Sequence, residues 1–444
     1  MNRPETLQTE PACARVPADA SKDRPIDPRF VTLLAFGTPF LDGFSTASAA
    51  FLIVLLPKLS ALEIGTFASL YFVGFFAGSA LLAPLADRFG RKPLFTATAL
   101  LTGLAALVPV FWSALPALFL MRFVTGFALG GDYPVGQALV TENAPSGSRN
   151  RHLSFLMFGW YIGALAGVLT ALPIMEFDSV GVSFFLLIEA VIAWLLVWGR
   201  RKVPESAVWL GARGETKKPS ECTAHKATDE AADKATEGLC DSKATRPTQG
   251  RWHQDNLSAF VFCSVFWLAQ TIPATVLMFY SPDILAAFTG IENAFVGVLM
   301  LYGAFLVGVL PSHFAFFAKR PKTVLLATFL AMAASLAVIA LWQFASALVT
   351  GLAFVVFSLA YGLQSPLDVY PNVLFPAAYR TFFVGMVTTV SRVGTMAIAF
   401  VFPALLERFP VTLLFGAGVV LLLAGFLFSL RFAPSDAAMA KTRP

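Results

Sequence analysis

Charge is scarce in this chain. Of its 444 residues only 13% are Asp, Glu, Lys or Arg, against about 25% in soluble domains. A soluble fold with 57% hydrophobic residues would leave large apolar patches on its surface, which excludes that class. Cysteine is scarce too: Cys13, Cys222, Cys240 and Cys263 lack metal-type spacing and read as free thiols. No cluster of His, Cys and carboxylates offers a metal site, and no glycine-rich loop with a Lys offers a nucleotide site. Neither a cofactor nor enzymatic chemistry is expected. The polar, proline-rich residues 1–28 hold no apolar core with a small-residue cleavage site, so no cleavable signal peptide is expected.

Apolar length is what the chain has. Its mean hydropathy is +0.71, and 44 Phe suit helices whose outer faces meet acyl chains. A helix crossing a ~30 Å hydrocarbon layer needs about 20 apolar residues. Twelve stretches qualify: 30–56, 63–86, 93–113, 115–140, 153–174, 180–200, 257–281, 293–315, 323–343, 346–369, 379–405 and 410–431. None alternates polar and apolar residues as barrel strands would. The expected class is therefore an all-α membrane protein with twelve transmembrane helices.

Lys and Arg in the short connections orient it. One side receives Arg88, Arg91 and Lys92, then Arg149 and Arg151, then Lys319, Arg320 and Lys322, then Arg380. The other has Lys58 and Arg408 beside several acids. Both termini are expected in the cytoplasm, with the chain in a cell inner membrane. That asymmetry accounts for the net charge of +5 without nucleic acid.

Residues 203–256 interrupt the spans. The stretch KATDEAADKATEGLCDSKATRPTQG has almost no large apolar residue, cannot bury a core, and is expected to be a largely disordered cytoplasmic linker. The expected organisation is a tail over 1–28, a six-helix bundle over 29–202, that linker, a second bundle over 257–432 and a tail over 433–444. The halves look related: Pro145, Arg149 and Gly163 have counterparts Pro376, Arg380 and Gly394, each 231 positions on. ADRFGRKPL likewise has a worn counterpart in AKRPKTVLL, which lacks the acid. Two parallel repeats facing a central cavity is an architecture of secondary transporters, whose halves rock about a mid-membrane site.

Five segments then carry a resemblance. APLADRFGRK (83–92) resembles the signature between the second and third helices of the major facilitator superfamily. RFVTGFALGGDYPVGQALVTENAPSGSR (122–149) resembles the fourth-helix signature of its sugar-porter and metabolite:proton symporter branches, and VPESAVWL (203–210) the motif after their sixth helix. YPNVLFPAAYR (370–380) with SRVG (391–394) resembles the turn between the tenth and eleventh helices. LDGFSTASA (41–49) resembles the first-helix motif of aromatic-acid and phosphate symporters. Departures are present: Ser45 and Val373 stand where those motifs usually hold acids. The resemblance implies a major facilitator fold and transport by alternating access.

Asp42 lies about 13 residues, or ~20 Å, from the cytoplasmic end of its span, and Asp132 about 17 residues, or ~25 Å, from the outer end. Ionisable groups inside a bilayer cost at least ~2.5–3.5 kcal/mol and normally face a cavity or partner. Burial makes a carboxylate easier to protonate, so both are proton-coupling candidates. The other reading is a structural acid held by amides or hydroxyls. The phosphate-symporter resemblance places coupling on Asp132. Gly130, Gly131 and Pro134 beside it allow close helix approach and bending. Arg122, about 80° round and ~15 Å along the helix from Asp132, cannot pair with it; anion attraction, neutralisation of Asp42 or Glu189, and snorkelling stay open.

The resemblance implies gating for Asp87 with Arg88, Arg91 and Lys92 at a cytoplasmic turn. Glu142, Arg149, Glu205 and Arg380 are candidates to complete that network. Arg122, Gln137, Trp160, Tyr161, Gln270, Gln364, Asp368 and Arg392 are the candidates for substrate binding, with packing the alternative for the aromatics. The expected function is proton-coupled transport of a small metabolite, an organic acid with aromatic acids included, by a monomer in a lipid bilayer. Sugar, polyol or phosphate transport and a non-transporting membrane sensor are the alternatives.

Overall fold

A computed structural model describes residues 27–55, 59–112, 114–143, 149–171, 178–205, 249–289, 294–313, 320–342, 346–365 and 380–436, besides Pro173, Leu367, Leu374 and Phe375. Within them lie twelve long helices: α1 (Pro28–Leu55), α2 (Ala61–Phe89), α3 (Arg91–Phe111), α4 (Leu115–Asn143), α5 (Arg149–Ala171) and α6 (Asp178–Arg200), then α7 (Gln249–Thr289), α8 (Ala294–Val309), α9 (Pro321–Trp342), α10 (Ala347–Gln364), α11 (Arg380–Arg408) and α12 (Val411–Phe432). Nine contain apolar runs long enough to cross a membrane, and α5, α8 and α10 supply shorter apolar segments. Leu195, Trp198, Val420 and Leu427 stand exposed on outer faces, as lipid-facing residues do.

Local chemistry sets the helix ends. Ser60 and Glu63 form a reciprocal capping box at the start of α2. Gly90, at φ +106°, turns the chain from α2 into α3 in a region that side chains disfavour.

The linker expectation needs correction at both ends. Val203 is fully buried in one apolar cluster with Val31, Phe95 and Leu139, and Glu205 is bonded to the start of α3. At the far end, α7 already begins at Gln249. Residues 206–248, 1–26 and 437–444 lie outside the described residues.

Packing repeats between the halves. In the first, α1 packs on α5, α2 on α4 and α3 on α6; in the second, α7 packs on α11, α8 on α10 and α9 on α12. The halves meet through α1 with α7, α2 with α11 and α5 with α8, a set that exchanging the halves maps onto itself. Packing of α4 on α10, which would extend that set, is not substantial among the described residues.

Glycine permits the tightest seam. A Cβ on Gly126 or Gly130 would strike the carbonyls of Tyr71 or Phe75, and one on Gly74 or Gly78 those of Phe123 or Phe127. The expected role of Gly130 as a site of close approach is thus played against α2.

Candidate functional site

Three buried polar clusters lie in the first bundle. In the first, Asp42 on α1 is 3% exposed. The Tyr71 hydroxyl on α2 donates to its Oδ1, the Tyr133 hydroxyl on α4 donates to its Oδ2 at 2.8 Å, and Thr46 donates to Oδ1 at 3.3 Å. All three partners are hydroxyls.

Arg122 dominates the second. Fully buried, it donates from a terminal nitrogen to the Ser45 carbonyl at 3.0 Å and hydroxyl at 3.2 Å, and its guanidinium lies 4.6 Å from the Tyr71 ring centre. It interacts electrostatically with Glu189 on α6 and with Asp42. Of the three options left open for Arg122, snorkelling is ruled out, because the residue is enclosed.

The third holds Asp132. Its Oδ2 accepts from Arg200 at 2.8 Å and from Thr38 at 2.6 Å, and its Oδ1 accepts from Thr98 at 2.7 Å. Asp132 and Asp42 both face inward rather than toward acyl chains, but in different company.

The second bundle supplies amides. Gln270 and Gln364 are buried, and neither side-chain polar atom of Gln364 has a hydrogen-bond partner. Arg392 on α11 reaches across to the first bundle, 4.3 Å from the ring centre of Phe75 and 6.0 Å from that of Phe72. Trp160 and Tyr161 on α5 meet Tyr302 and Phe305 on α8 at 6.4 and 6.3 Å. Gln137 is half-buried and, with Thr38, Tyr133 and Met157, lines a small hollow. The 231-residue repeat matches Tyr133 with Gln364, Gln137 with Asp368 and Tyr161 with Arg392. Asp368 lies outside the described residues.

Of the gating candidates, Glu205 accepts from the backbone N–H of Arg91 at 2.9 Å and of Lys92 at 3.2 Å, capping α3. Arg91 pairs with Glu142. Arg88 is exposed over Phe89. The side chains of Asp87, Arg149 and Arg380 lie outside the described residues.

Sequence reasoning missed Tyr71, Tyr133, Thr38, Thr98 and Arg200 as partners of the two acids. It missed Asp436 as well. That residue accepts from the Lys322 backbone N–H at 2.7 Å and the Thr323 hydroxyl at 2.8 Å, capping α9. Asp436 is 231 positions beyond Glu205, and Lys322 is 231 beyond Arg91. The repeat offset, applied to Glu205, was the signal that would have found it.

A family model described as "Sugar (and other) transporter" matches residues 20–437. The chain belongs to that family. It is a multi-pass major facilitator transporter of metabolites or sugars, and not an enzyme. The inner membrane metabolite transport protein YgcS of Escherichia coli is 29% identical over 92% of both chains. The niacin transporter NiaP of Acinetobacter baylyi is 33% identical over 39% of this chain and 40% of its own. The 4-hydroxybenzoate transporter PcaK of Pseudomonas aeruginosa is 30% identical over 41% of each. An inward-open structure of the E. coli xylose transporter XylE superposes with a TM-score of 0.74 at 16% identity, over 94% of this chain and 100% of that one. That likeness establishes the fold.

Proposed function

We propose that the transporter is a proton-coupled symporter of a small organic anion, and that Asp42 takes up the coupling proton. The observation that carries this is the company Asp42 keeps. A hydroxyl both donates and accepts. Tyr71, Tyr133 and Thr46 can therefore satisfy Asp42 with or without its proton, by rotation alone. Such a carboxylate can change protonation state without stranding a buried group, which otherwise costs about 1–3 kcal/mol.

Arg392 is the anion partner in this reading. It is a cation facing aromatic side chains at the join between bundles, with its Nε unbonded, a setting that suits a flat carboxylate. The names of NiaP and PcaK, both transporters of aromatic acids, support that class. An inner-membrane location with cytoplasmic termini belongs to the same reading.

Counterflow and pH-gradient-driven uptake of nicotinate and 4-hydroxybenzoate in proteoliposomes test it. Asp42→Asn should keep exchange and lose accumulation above equilibrium; full uphill uptake by that variant would remove Asp42 from the role. Absence of exchange with either acid would favour a second reading, a polyol or sugar substrate, for which the unpartnered amide of Gln364 provides matching donors and an acceptor.

A further inference from the structure

Arg200 is the last residue of α6, where an arginine at the edge of an apolar span reads as an interfacial anchor. It is instead fully buried. One terminal nitrogen donates to the Phe95 carbonyl at 2.6 Å and to Asp132 at 2.8 Å. The other donates to the Thr38 hydroxyl at 2.8 Å and toward the Leu34 carbonyl at 3.4 Å. The Phe95 ring centre lies 3.7 Å from the guanidinium carbon. One side chain thus ties α6 to α1, α3 and α4.

The carboxylate it meets is enclosed by donors. Thr38 accepts from Arg200 and donates its own hydroxyl hydrogen bond to Asp132 Oδ2, while Thr98 donates to Oδ1. Arginine only donates and does not give up its charge. A proton arriving on Oδ2 would face an N–H and an O–H already pointing at it. This is the reverse of Asp42. Of the other titratable groups on helices packed around α4, Asp42 on α1 bonds Tyr71 on α2 and Tyr133, Arg91 on α3 pairs with Glu142, and His152 on α5 bonds Thr32. Nor does the fold require the arrangement. At the repeat-related positions the second bundle has Leu363, and an exposed Arg431 stacked on Phe432.

We propose that Arg200 is a positioning residue that fixes Asp132 as a standing ionised brace joining α1, α3, α4 and α6, and so withholds that acid from proton exchange. Only the withholding from coupling rests on the proton-symport reading; the brace does not.

The test uses the full-length protein in liposomes with Arg200→Gln, Asp132→Asn and the double variant. pH-difference infrared spectra read protonated carboxyl groups without any substrate, and nicotinate counterflow reads function. Spectra of the wild type and Asp132→Asn should coincide. Arg200→Gln should gain a protonated carboxyl band that vanishes in the double variant. Each single change should lower counterflow by more than about tenfold, because a buried partner is left unpaired, and the double variant should recover most of that loss. Should Arg200→Gln fail to fold while the double variant folds, that rescue supports the brace by itself. Two results overturn the proposal: a titrating band in the wild type that Asp132→Asn removes, or a double variant no better than the worse single. Failure of nicotinate counterflow in the wild type would count against the substrate reading alone, since the infrared comparison still decides the state of Asp132.

Discussion

The two bundles share a fold and a packing plan, and they differ in what they bury. The first encloses Asp42, Arg122, Asp132, Glu189 and Arg200; the second, among the described residues, encloses uncharged amides and hydroxyls, with Arg392 at its inner edge. An unpartnered buried charge costs far more than an unpartnered amide, so the first bundle is held by directed contacts where the second relies on apolar packing. The lesson is that repeat symmetry constrains backbone and helix pairing but leaves chemistry free to specialise, half by half.

Three measurements can break or sharpen that contrast. The largest effect is expected from stranding a charge. Asp132→Ala leaves Arg200 buried and unpaired, at a cost of about 3–5 kcal/mol, whereas Gln364→Met strands nothing and should be neutral or stabilising. Thermal unfolding in detergent compares them, and equal losses would end the distinction. Next come the seams. Gly126→Leu forces side-chain atoms against the Tyr71 carbonyl and should cost about 1–3 kcal/mol, while Gly351→Ala, with nothing within 4 Å of an added Cβ, should be tolerated. The smallest effect belongs to the caps. Glu205→Ala and Asp436→Ala should each cost about 0.5–2 kcal/mol, and by similar amounts, because here the halves are alike. A much larger loss for Glu205 would show that its contacts with Arg91 and Lys92 do more than cap a helix.

Much of the fold was legible in sequence because length and hydropathy decide it. Each of the twelve apolar stretches corresponds to one of the long helices, and the repeat offset matches equivalent positions on α4 and α10 and on α5 and α11. That Asp42 and Asp132 lie within long apolar helices followed from counting residues along the spans. Their partners did not. Tyr71 lies 29 positions from Asp42, and Arg200 lies 68 from Asp132. Which faces meet depends on how each helix is rotated, and helices apolar on nearly every side carry little phase information. The linker boundary failed for a related reason: composition marks where apolar residues stop, while Val203 and Glu205 are held by tertiary contacts just past that point.

The paired caps also bear on handling the protein. Since Asp436 grips the first turn of α9 just beyond the final span, any cargo fused directly behind it hangs from that grip, and mechanical load there is delivered to the helix. Reporters and affinity handles therefore belong on the amino-terminal side, or behind a long flexible spacer at the other end.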